Sequence, residues 1–492
     1  MAFCWRSRVV LAAIAGLTGW SCRAAPGQTS TSRDISAADM RARISFLASD
    51  SLRGRATPSR GLEMAADYVA AEFGRFELEA PPGGYVQRYR LARTRIGESW
   101  SLSLSRAGSR VSLHYEQDFW GLPWAAGTVE GQLRFVGAAP PAEAAESAGP
   151  EIWVAELTPG VSLQDWLREA EAAGAGGIIF VFDGEVGPYL PALRSAGETV
   201  YDVGEEEPPL PAVLAARDAL GTALKRLGLE SWPAAASPSA TASQVSARLT
   251  ADLGEQTMTA PNVVAIARGS DPRLRNEYVL VTAHMDHLGV GTPVNGDSIY
   301  NGADDNASGT AGVLEVAEAV AALAKGPRRS IMFATMSGEE RGLLGSSWFV
   351  EHPPVPLNRV VADVNVDMIG RNWEDTISVI GKPYSTLGTL VDSVAAAHPE
   401  LGLAVAGDLW PAEGFFFRSD HFNFARKGIP AIFFFNGVHE DYHQPSDEVE
   451  KIEFEKAARV AGLVYQVAVA VANGERRPEW DPRIRDRIVG GR

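Results

Sequence analysis

The stretch Tyr278-Val279-Leu280-Val281-Thr282-Ala283-His284-Met285-Asp286 decides the fold, because a short apolar run ends there in side chains that can bind metal. Three later runs are of the same kind, at Ser330–Met336, Val360–Val366 and 429–435. Continuous apolar runs rich in Val, Ile and Phe are typical of strands that are covered on both faces. The sequence therefore predicts an α/β fold, an αβα sandwich whose mostly parallel or mixed sheet lies between layers of helices.

Polar residues that can bind metal follow each of these four runs. The carboxyl ends of strands in an open α/β sheet form the crevice where ligands bind, so these residues are expected to meet at one edge. Zinc takes imidazole nitrogen and carboxylate oxygen as ligands, and a hydrolytic site leaves one position open. The pattern predicts a two-metal hydrolase site built from His284, Asp286, the segment 301–309 (Asn-Gly-Ala-Asp-Asp-Asn-Ala-Ser-Gly), Glu339, Glu340, Asp367 and His443.

A simpler interpretation exists for each residue taken alone. A single His or Asp after a strand is often a cap or a solvated loop residue, and a pair of glutamates is often surface charge. Ser308 could be the N-cap of a helix over 310–324, with Gly302 and Gly309 as turn residues. The recurrence of such residues after successive strands favours the metal site over this interpretation.

The order of these motifs resembles the M28 family of zinc metallopeptidases, the clan of aminopeptidases and glutamate carboxypeptidases. The resemblance covers residues 262–474, including Ser419-Asp420-His421 and Gly428-Ile429-Pro430-Ala431. It extends to 46–55 (Phe-Leu-Ala-Ser-Asp-Ser-Leu-Arg-Gly-Arg) and 65–69, which are similar to the opening helices of the family.

This resemblance implies two zinc ions as cofactors, bridged by Asp304. His284 and Asp367 would complete one zinc site, and Glu340 and His443 the other.

It also implies roles for three further residues. Glu339 would be the general base, taking a proton from water and delivering it to the leaving amine. Asp286 would be the carboxylate that orients His284, and Tyr442 would donate a hydrogen bond to the developing oxyanion.

The remaining histidines and aromatic residues allow more than one interpretation. His287 and His421 are expected to pack or to orient loops, since the resemblance already fills both sites, and His439 is undecided. The aromatic residues before Ser419 either wall an apolar pocket or belong to the core: Trp410, Phe415, Phe416 and Phe417.

The charged residues near the motifs favour one kind of exopeptidase. An aminopeptidase needs a carboxylate for the substrate ammonium group, and a carboxypeptidase needs Arg or Lys for the carboxylate. Acids outnumber bases here, with Asp305, Glu413, Asp420 and Asp441 against Arg341, Arg371 and Arg418.

The predicted function is that of a secreted di-zinc exopeptidase acting on peptides, an aminopeptidase in the first instance. The alternatives are a carboxypeptidase or a glutaminyl cyclase of the same clan, and a non-catalytic recognition ectodomain. The formal charge of −16 without a basic cluster argues against a nucleic-acid partner. The sequence leaves the oligomeric state open.

The predicted organisation has five parts. Residues 1–24 form a signal peptide, 34–99 the first part of the peptidase domain, 100–249 an insertion, 250–475 the catalytic domain and 476–492 a tail. The insertion is β-rich with some helix, and it is similar to the protease-associated (PA) domain of some M28 members. The leader predicts export to the periplasm or the exterior. Both cysteines, Cys4 and Cys22, lie in it, so no disulfide is expected, and lipidation at Cys22 would attach the chain to a membrane.

Overall fold

The computed structural model describes residues 34–97, 99–122, 125–138, 149–157, 163–182, 200–202, 210–229 and 244–489. The predicted signal peptide with Cys22 lies outside the described residues. In the described ranges, no helix combines the length and the apolar character needed to cross a membrane.

The helices that the structure describes are α1 (Ala37–Leu47), α2 (Arg60–Arg75), α3 (Leu163–Ala172), α4 (Arg217–Arg226), α5 (Gly309–Ala321), α6 (Leu344–Glu351), α7 (Leu387–Ala397), α8 (His421–Arg426), α9 (Phe454–Asn473) and α10 (Pro482–Ile488). The strands are β1 (Val86–Ile96), β2 (Ser101–Arg106), β3 (Ser109–Leu113), β4 (Phe119–Gly121), β5 (Gly127–Gly137), β6 (Glu151–Glu156), β7 (Gly177–Phe182), β8 (Val200–Asp202), β9 (Ala212–Ala216), β10 (Ser246–Ala251), β11 (Leu253–Ala267), β12 (Tyr278–His284), β13 (Gly289–Val294), β14 (Asp297–Tyr300), β15 (Ser330–Met336), β16 (Val360–Val366), β17 (Thr376–Ile380), β18 (Ala404–Ala406) and β19 (Ala431–Phe435).

The large sheet has nine strands in the order β18-β17-β19-β16-β12-β15-β11-β1-β8. Its centre is parallel, since β12 pairs in parallel with both β15 and β16, and β16 with β19. The strands β11 and β17 join this centre in antiparallel pairing. The observed fold confirms the predicted α/β sandwich with a mixed sheet.

Helices cover both faces of this sheet, as the apolar strands require. Alternate residues of a strand point to opposite faces. Val279 and Val281 accordingly belong to the core beneath α1, α2, α5 and α9, while Leu280 belongs to the core beneath α6 and α8. Each central strand is buried along its whole length, which accounts for runs without polar alternation.

A second sheet forms within the predicted insertion. Its eight strands, in the order β3-β2-β10-β5-β6-β7-β9-β4, come from residues 101–251 and share a hydrophobic core of their own that contains Trp153 and Phe180. One strand of the insertion departs from this arrangement, because β8 pairs with β1 in the large sheet. The similarity to a PA domain stays a prediction.

A ribbon of β1 and β11 connects the two sheets, and β8 pairs with its β1 strand at residues 92–94. Val263 of β11 lies opposite Thr335 near the end of β15, so residues 253–262 of β11 continue beyond that end and pair with residues 87–96 of β1. Ten residues of strand span about 33 Å. The ribbon therefore leaves the large sheet at the edge where β12 and β15 end.

The C-terminal tail is also folded as far as residue 489. Asp481 caps α10, Ile488 is buried in a cluster with Phe416, and the Trp480 indole donates a hydrogen bond to the Gly428 carbonyl at 2.9 Å. The tail thus packs on the predicted catalytic domain.

Candidate active site

The strand ends bring the predicted site residues together. His284 is the last residue of β12, level with Met336 of β15, and the turn after β15 carries Glu339 and Glu340. Asp367 directly follows β16. The His284 backbone is fixed by the Thr310 hydroxyl of α5, which donates to its carbonyl oxygen at 2.7 Å.

The carboxylate at the centre of the cluster is Asp305. Its Oδ1 lies 3.3 Å from His284 Nε2, and its Oδ2 lies 3.2 Å from His443 Nε2. Asp304 points elsewhere: its carboxylate accepts hydrogen bonds from the Gly370 N–H at 2.7 Å and the Asn436 side chain at 3.2 Å. The expectation that Asp304 bridges the two histidine sites is therefore wrong, and Asp305 occupies that position.

Hydrogen bonds to the loop around Asp305 determine which of the two aspartates faces the cluster. The Asn306 side-chain oxygen accepts from the Gly309 and Met368 N–H groups at 2.8 and 3.1 Å, and its amide nitrogen donates to the Val366 carbonyl at 3.0 Å. On the other side, the Asp447 carboxylate accepts from the N–H groups of Asp304 and Asp305. These bonds tie the loop to the end of β16 and aim Asp305 inward.

Glu340 and His443 form the second half of the cluster. Glu340 Oε2 lies 3.2 Å from His443 Nε2, and Glu340 Oε1 lies 2.7 Å from His287 Nδ1. Burial and the neighbouring Asp305 oppose ionisation of Glu340, but the contacts with His287 and His443 outweigh them and lower its pKa to about 2. His287 thus lies against Glu340, in agreement with an orienting role.

Asp367 and Glu339 complete the half that contains His284. Asp367 Oδ1 lies 3.3 Å from His284 Nε2, and the Ser419 hydroxyl donates to Asp367 Oδ2 at 2.9 Å. One potential ligand atom from each of His284, Glu339 and Asp367 lies within 4.8 Å of the others. Burial raises the pKa of Glu339 well above its ordinary value, and the nearby Glu340 and Asp367 raise it further.

Asp286 contacts both His284 and Glu339. Its backbone carbonyl oxygen, at 3.2 Å, is nearer to His284 Nδ1 than its carboxylate, at 3.8 Å. The carboxylate accepts hydrogen bonds from the Thr57 hydroxyl at 2.9 Å and the Glu339 N–H at 3.3 Å. Asp286 is thus placed to orient His284 through its backbone and the Glu339 turn through its side chain.

A cavity opens beside the cluster, and the four aromatic residues that precede Ser419 take different positions relative to it. The cavity is lined by His284, Asp305, Glu339, Asp367, Met368, Phe415, Arg418, Ser419, Phe433, Phe435, Val438 and Tyr442. Phe415 therefore lines the cavity, whereas Phe416 is buried against His421 and Phe417 is exposed. Trp410 packs behind Phe415 and Phe435.

The acids that the sequence left unassigned have different surroundings. Asp441 pairs with Arg371 at 2.8 Å and with Lys451 at 2.5 Å, which keeps the pKa of its carboxyl low despite partial burial. Asp420 is buried, and burial raises its pKa to about 7. Of the three predicted bases, Arg418 lines the cavity.

Arg55 is a buried residue near the site that the motif pattern did not single out. It donates to the carbonyl oxygens of Met285 at 2.9 Å, Asn301 at 2.8 Å and Gly302 at 3.1 Å, and also to that of Leu47. It thereby joins the two loops that carry His284 and Asp305. Only its position in the motif 46–55 marked it in the sequence.

The donor atoms fit divalent metal ions. Ligands about 2.0–2.1 Å from a tetrahedral ion lie about 3.3 Å from one another. The Asp305 carboxylate lies 3.3 Å from His284 Nε2 and 3.2 Å from His443 Nε2. The Asp367 carboxylate lies 3.3 Å from His284 Nε2, and the Glu340 carboxylate lies 3.2 Å from His443 Nε2. Two buried carboxylates, of Asp305 and Asp367, and two partly buried ones, of Glu339 and Glu340, lie beside two imidazoles, and bound cations would offset the cost of burying their charge.

Comparison with known proteins shows which family and which proteins this chain is similar to. Residues 262–468 match the profile of Peptidase family M28. The chain is 28% identical to Aminopeptidase YwaD of Bacillus subtilis (strain 168) over 229 residues, covering 45% of this chain and 47% of that protein. It is 30% identical to a probable leucine aminopeptidase of Arthroderma benhamiae (strain ATCC MYA-4681 / CBS 112371) over 230 residues, covering 43% and 58%. The chain thus spans about half the length of these curated relatives.

Solved structures show the same fold over most of the chain. The aminopeptidase from Aneurinibacillus sp. strain AM-1 has a TM-score of 0.53 and 22% sequence identity, with 90% of this chain and 95% of that chain covered. BSAP, a zinc aminopeptidase from Bacillus subtilis, has a TM-score of 0.50 and 21% identity, with 91% and 98% covered.

Proposed function

Because this chain belongs to peptidase family M28 through its residues 262–468, we propose that it is a zinc-dependent aminopeptidase that binds two metal ions. The observation that carries the proposal is the position of Asp305 between His284 and His443. One ion would be held by His284, Asp305 and Asp367, and the other by Asp305, Glu340 and His443.

The choice of zinc rests on the donor set and on the relatives. Two imidazole nitrogens and three carboxylates suit zinc, and the neighbour BSAP is named a zinc aminopeptidase. When bound, the ions would polarise the substrate carbonyl and lower the pKa of water.

Glu339 is the candidate general base and acid. Its carboxylate lies beside His284 and Asp367, and the Asp286 carboxylate accepts a hydrogen bond from its N–H. The raised pKa of Glu339 suits a group that first accepts a proton from water and then delivers it to the leaving amine.

Tyr442 is the candidate oxyanion donor. It lines the cavity, stacks on His443 with ring centroids 3.8 Å apart, and is held with its pKa above the ordinary value by burial. Its hydroxyl therefore stays protonated and can donate to an oxygen that gains negative charge.

The cavity supports cleavage of an N-terminal residue with an apolar side chain. Phe415, Phe433, Phe435 and Met368 supply an apolar wall, and the carboxylates of Asp305, Glu339 and Asp367 lie at its polar end. Asp441 pairs with Arg371 and Lys451, so it is not the group that would bind a substrate ammonium.

One observation favours the carboxypeptidase as a second candidate. Arg418 lines the same cavity, with its guanidinium over the Phe415 ring at 4.8 Å. An arginine in that position could bind a substrate carboxylate bidentately.

The deciding experiment compares blocked peptides. For an aminopeptidase, acetylation of the N-terminus of Leu-Gly-Gly abolishes hydrolysis, whereas amidation of its C-terminus has little effect. For a carboxypeptidase the reverse holds, and Arg418→Met raises KM for the free-acid peptide far more than for the amide.

The same measurements distinguish an aminopeptidase from a glutaminyl cyclase and from a recognition ectodomain. A glutaminyl cyclase converts N-terminal glutamine without releasing an amino acid, and a recognition ectodomain releases none from any peptide. We further propose export, as the basic and apolar leader at 1–24 predicts.

A further inference from the structure

Beside the cavity lies an exposed apolar surface that the chemistry does not use. It consists of Trp373, Leu409, Trp410 and Val438, hereafter the tryptophan shelf. Trp373 is 39% exposed, Leu409 46% and Val438 43%, so each of these three large apolar side chains faces solvent. Single exposed apolar residues are ordinary on a protein surface, but a contiguous group beside a cavity marks a binding surface.

The shelf is continuous with the cavity. Val438 belongs to both, and Trp410 packs with ring centroids 5.8 Å from Phe415 and 5.7 Å from Phe435, both of which line the cavity. Trp373 stacks on Trp410 at 6.0 Å with an angle of 18° between the rings. An apolar path thus runs from the cavity wall outward to the exposed side of Trp373.

Three loops hold the shelf in place. The Asn372 side chain donates to the Asn436 carbonyl at 2.6 Å, and the Arg371 N–H donates to the Asn436 side chain at 2.7 Å. Trp410 lies against Gly437 so closely that a Cβ there would be 2.4 Å from the indole ring. A surface whose rings are already ordered loses little entropy when it binds a ligand.

We infer that the tryptophan shelf binds an apolar side chain of the peptide substrate, that of the residue following the one held in the cavity. This inference rests on the proposed function and adds to it a preference for substrates with an apolar second residue. The continuity with the cavity argues for the substrate itself as occupant, since Val438 both lines the cavity and is exposed at the shelf.

The test compares three substrates that share an N-terminal leucine, namely leucinamide, Leu-Gly-Gly and Leu-Phe-Gly. In the parent enzyme, kcat/KM for Leu-Phe-Gly should exceed that for Leu-Gly-Gly by about 10-fold, equivalent to about 1.4 kcal/mol, because the shelf removes one side of the ring from water. Trp373→Ser should bring this ratio close to one, mainly through KM. Trp373→Phe, which keeps an aromatic face, should retain most of the preference, and Leu409→Ser should weaken it.

The ratio is insensitive to partial unfolding or metal loss, which lower hydrolysis of all three substrates together. A ratio near one in the parent, or a ratio unchanged in Trp373→Ser, overturns the inference. If Trp373→Ser alters the preference between Phe-Gly-Gly and Leu-Gly-Gly, the shelf binds the first residue of the substrate and the inference is overturned. If Trp373→Ser changes the molecular mass of the protein in solution, the shelf binds a second copy of the chain, which also overturns the inference.

Loss of the proposed function is distinguishable from loss of the shelf. If the parent hydrolyses none of the substrates, the proposed function fails. The affinity of the parent and of Trp373→Ser for Leu-Phe-Gly, measured by calorimetry, then tests whether the shelf binds peptide. Weaker binding to Trp373→Ser than to the parent would support it, and equal binding would overturn it.

Discussion

Replacing each of two adjacent aspartates separately tests the assignment of the bridging carboxylate. Asp305→Asn removes one negative charge from a position within 3.3 Å of both His284 and His443. Asp304→Asn removes the same charge from the neighbouring residue, whose carboxylate instead accepts hydrogen bonds from Gly370 and Asn436. The two variants are matched in chemistry and differ only in where the side chain points.

The expected magnitude follows from the contacts. A unit charge about 4 Å from another is worth about 4 kcal/mol at an effective dielectric constant of 20, so Asp305→Asn should weaken the retention of metal by about 10³-fold or more. Asp304→Asn should keep both ions. It should lower the free energy of unfolding by about 1–3 kcal/mol, since its new amide opposes that of Asn436.

The assay is elemental analysis of dialysed protein, with denaturant unfolding of the same samples. We expect about two ions per chain in the parent and in Asp304→Asn, and almost none in Asp305→Asn. Full metal content in Asp305→Asn together with loss in Asp304→Asn would refute the assignment drawn from the structure.

Three further predictions concern other residues of the site and its surroundings. Glu339→Ala should retain its metal and lose turnover by at least about 10²–10⁴-fold, whereas Glu340→Ala should lose metal from one site. Equal loss of metal from both variants, measured by elemental analysis, would contradict these roles. Arg55→Met should lower the free energy of unfolding by more than about 3 kcal/mol, because it leaves four buried carbonyl groups without their donor, and denaturant melts that match the parent would be inconsistent with this. Burial lowers the pKa of His421 to about 3. Below about pH 6.5 the unfolded chain therefore binds a proton at this residue that the folded chain does not. The free energy of unfolding then falls by up to about 1.4 kcal/mol for each pH unit down to about pH 3. In metal-free protein, His421→Phe should flatten this part of the pH profile of unfolding, and an unchanged profile would show that His421 is not its source.

The sequence by itself determined the sandwich and the edge at which the site lies. Ser330–Met336 and Val360–Val366 are strands with the predicted bounds. Strands buried on both faces leave an uninterrupted apolar signature, and polar residues that follow several parallel strands must meet at one edge. The shorter alternating segments predict the insertion at 100–249.

Only the tertiary structure decided between Asp304 and Asp305. The two residues are chemically identical neighbours, and local sequence does not determine which one faces the cluster. That choice depends on the hydrogen bonds of Asn306 with Val366 and Met368 and on that of the Asp305 N–H with Asp447. These three partners meet the loop only after the chain has folded. The same holds for Arg55, which reaches Met285 and Gly302 from more than 200 positions away in the chain. Periodicity reports burial along a strand, whereas the direction of a single side chain in a loop is determined by contacts between segments that are distant in sequence.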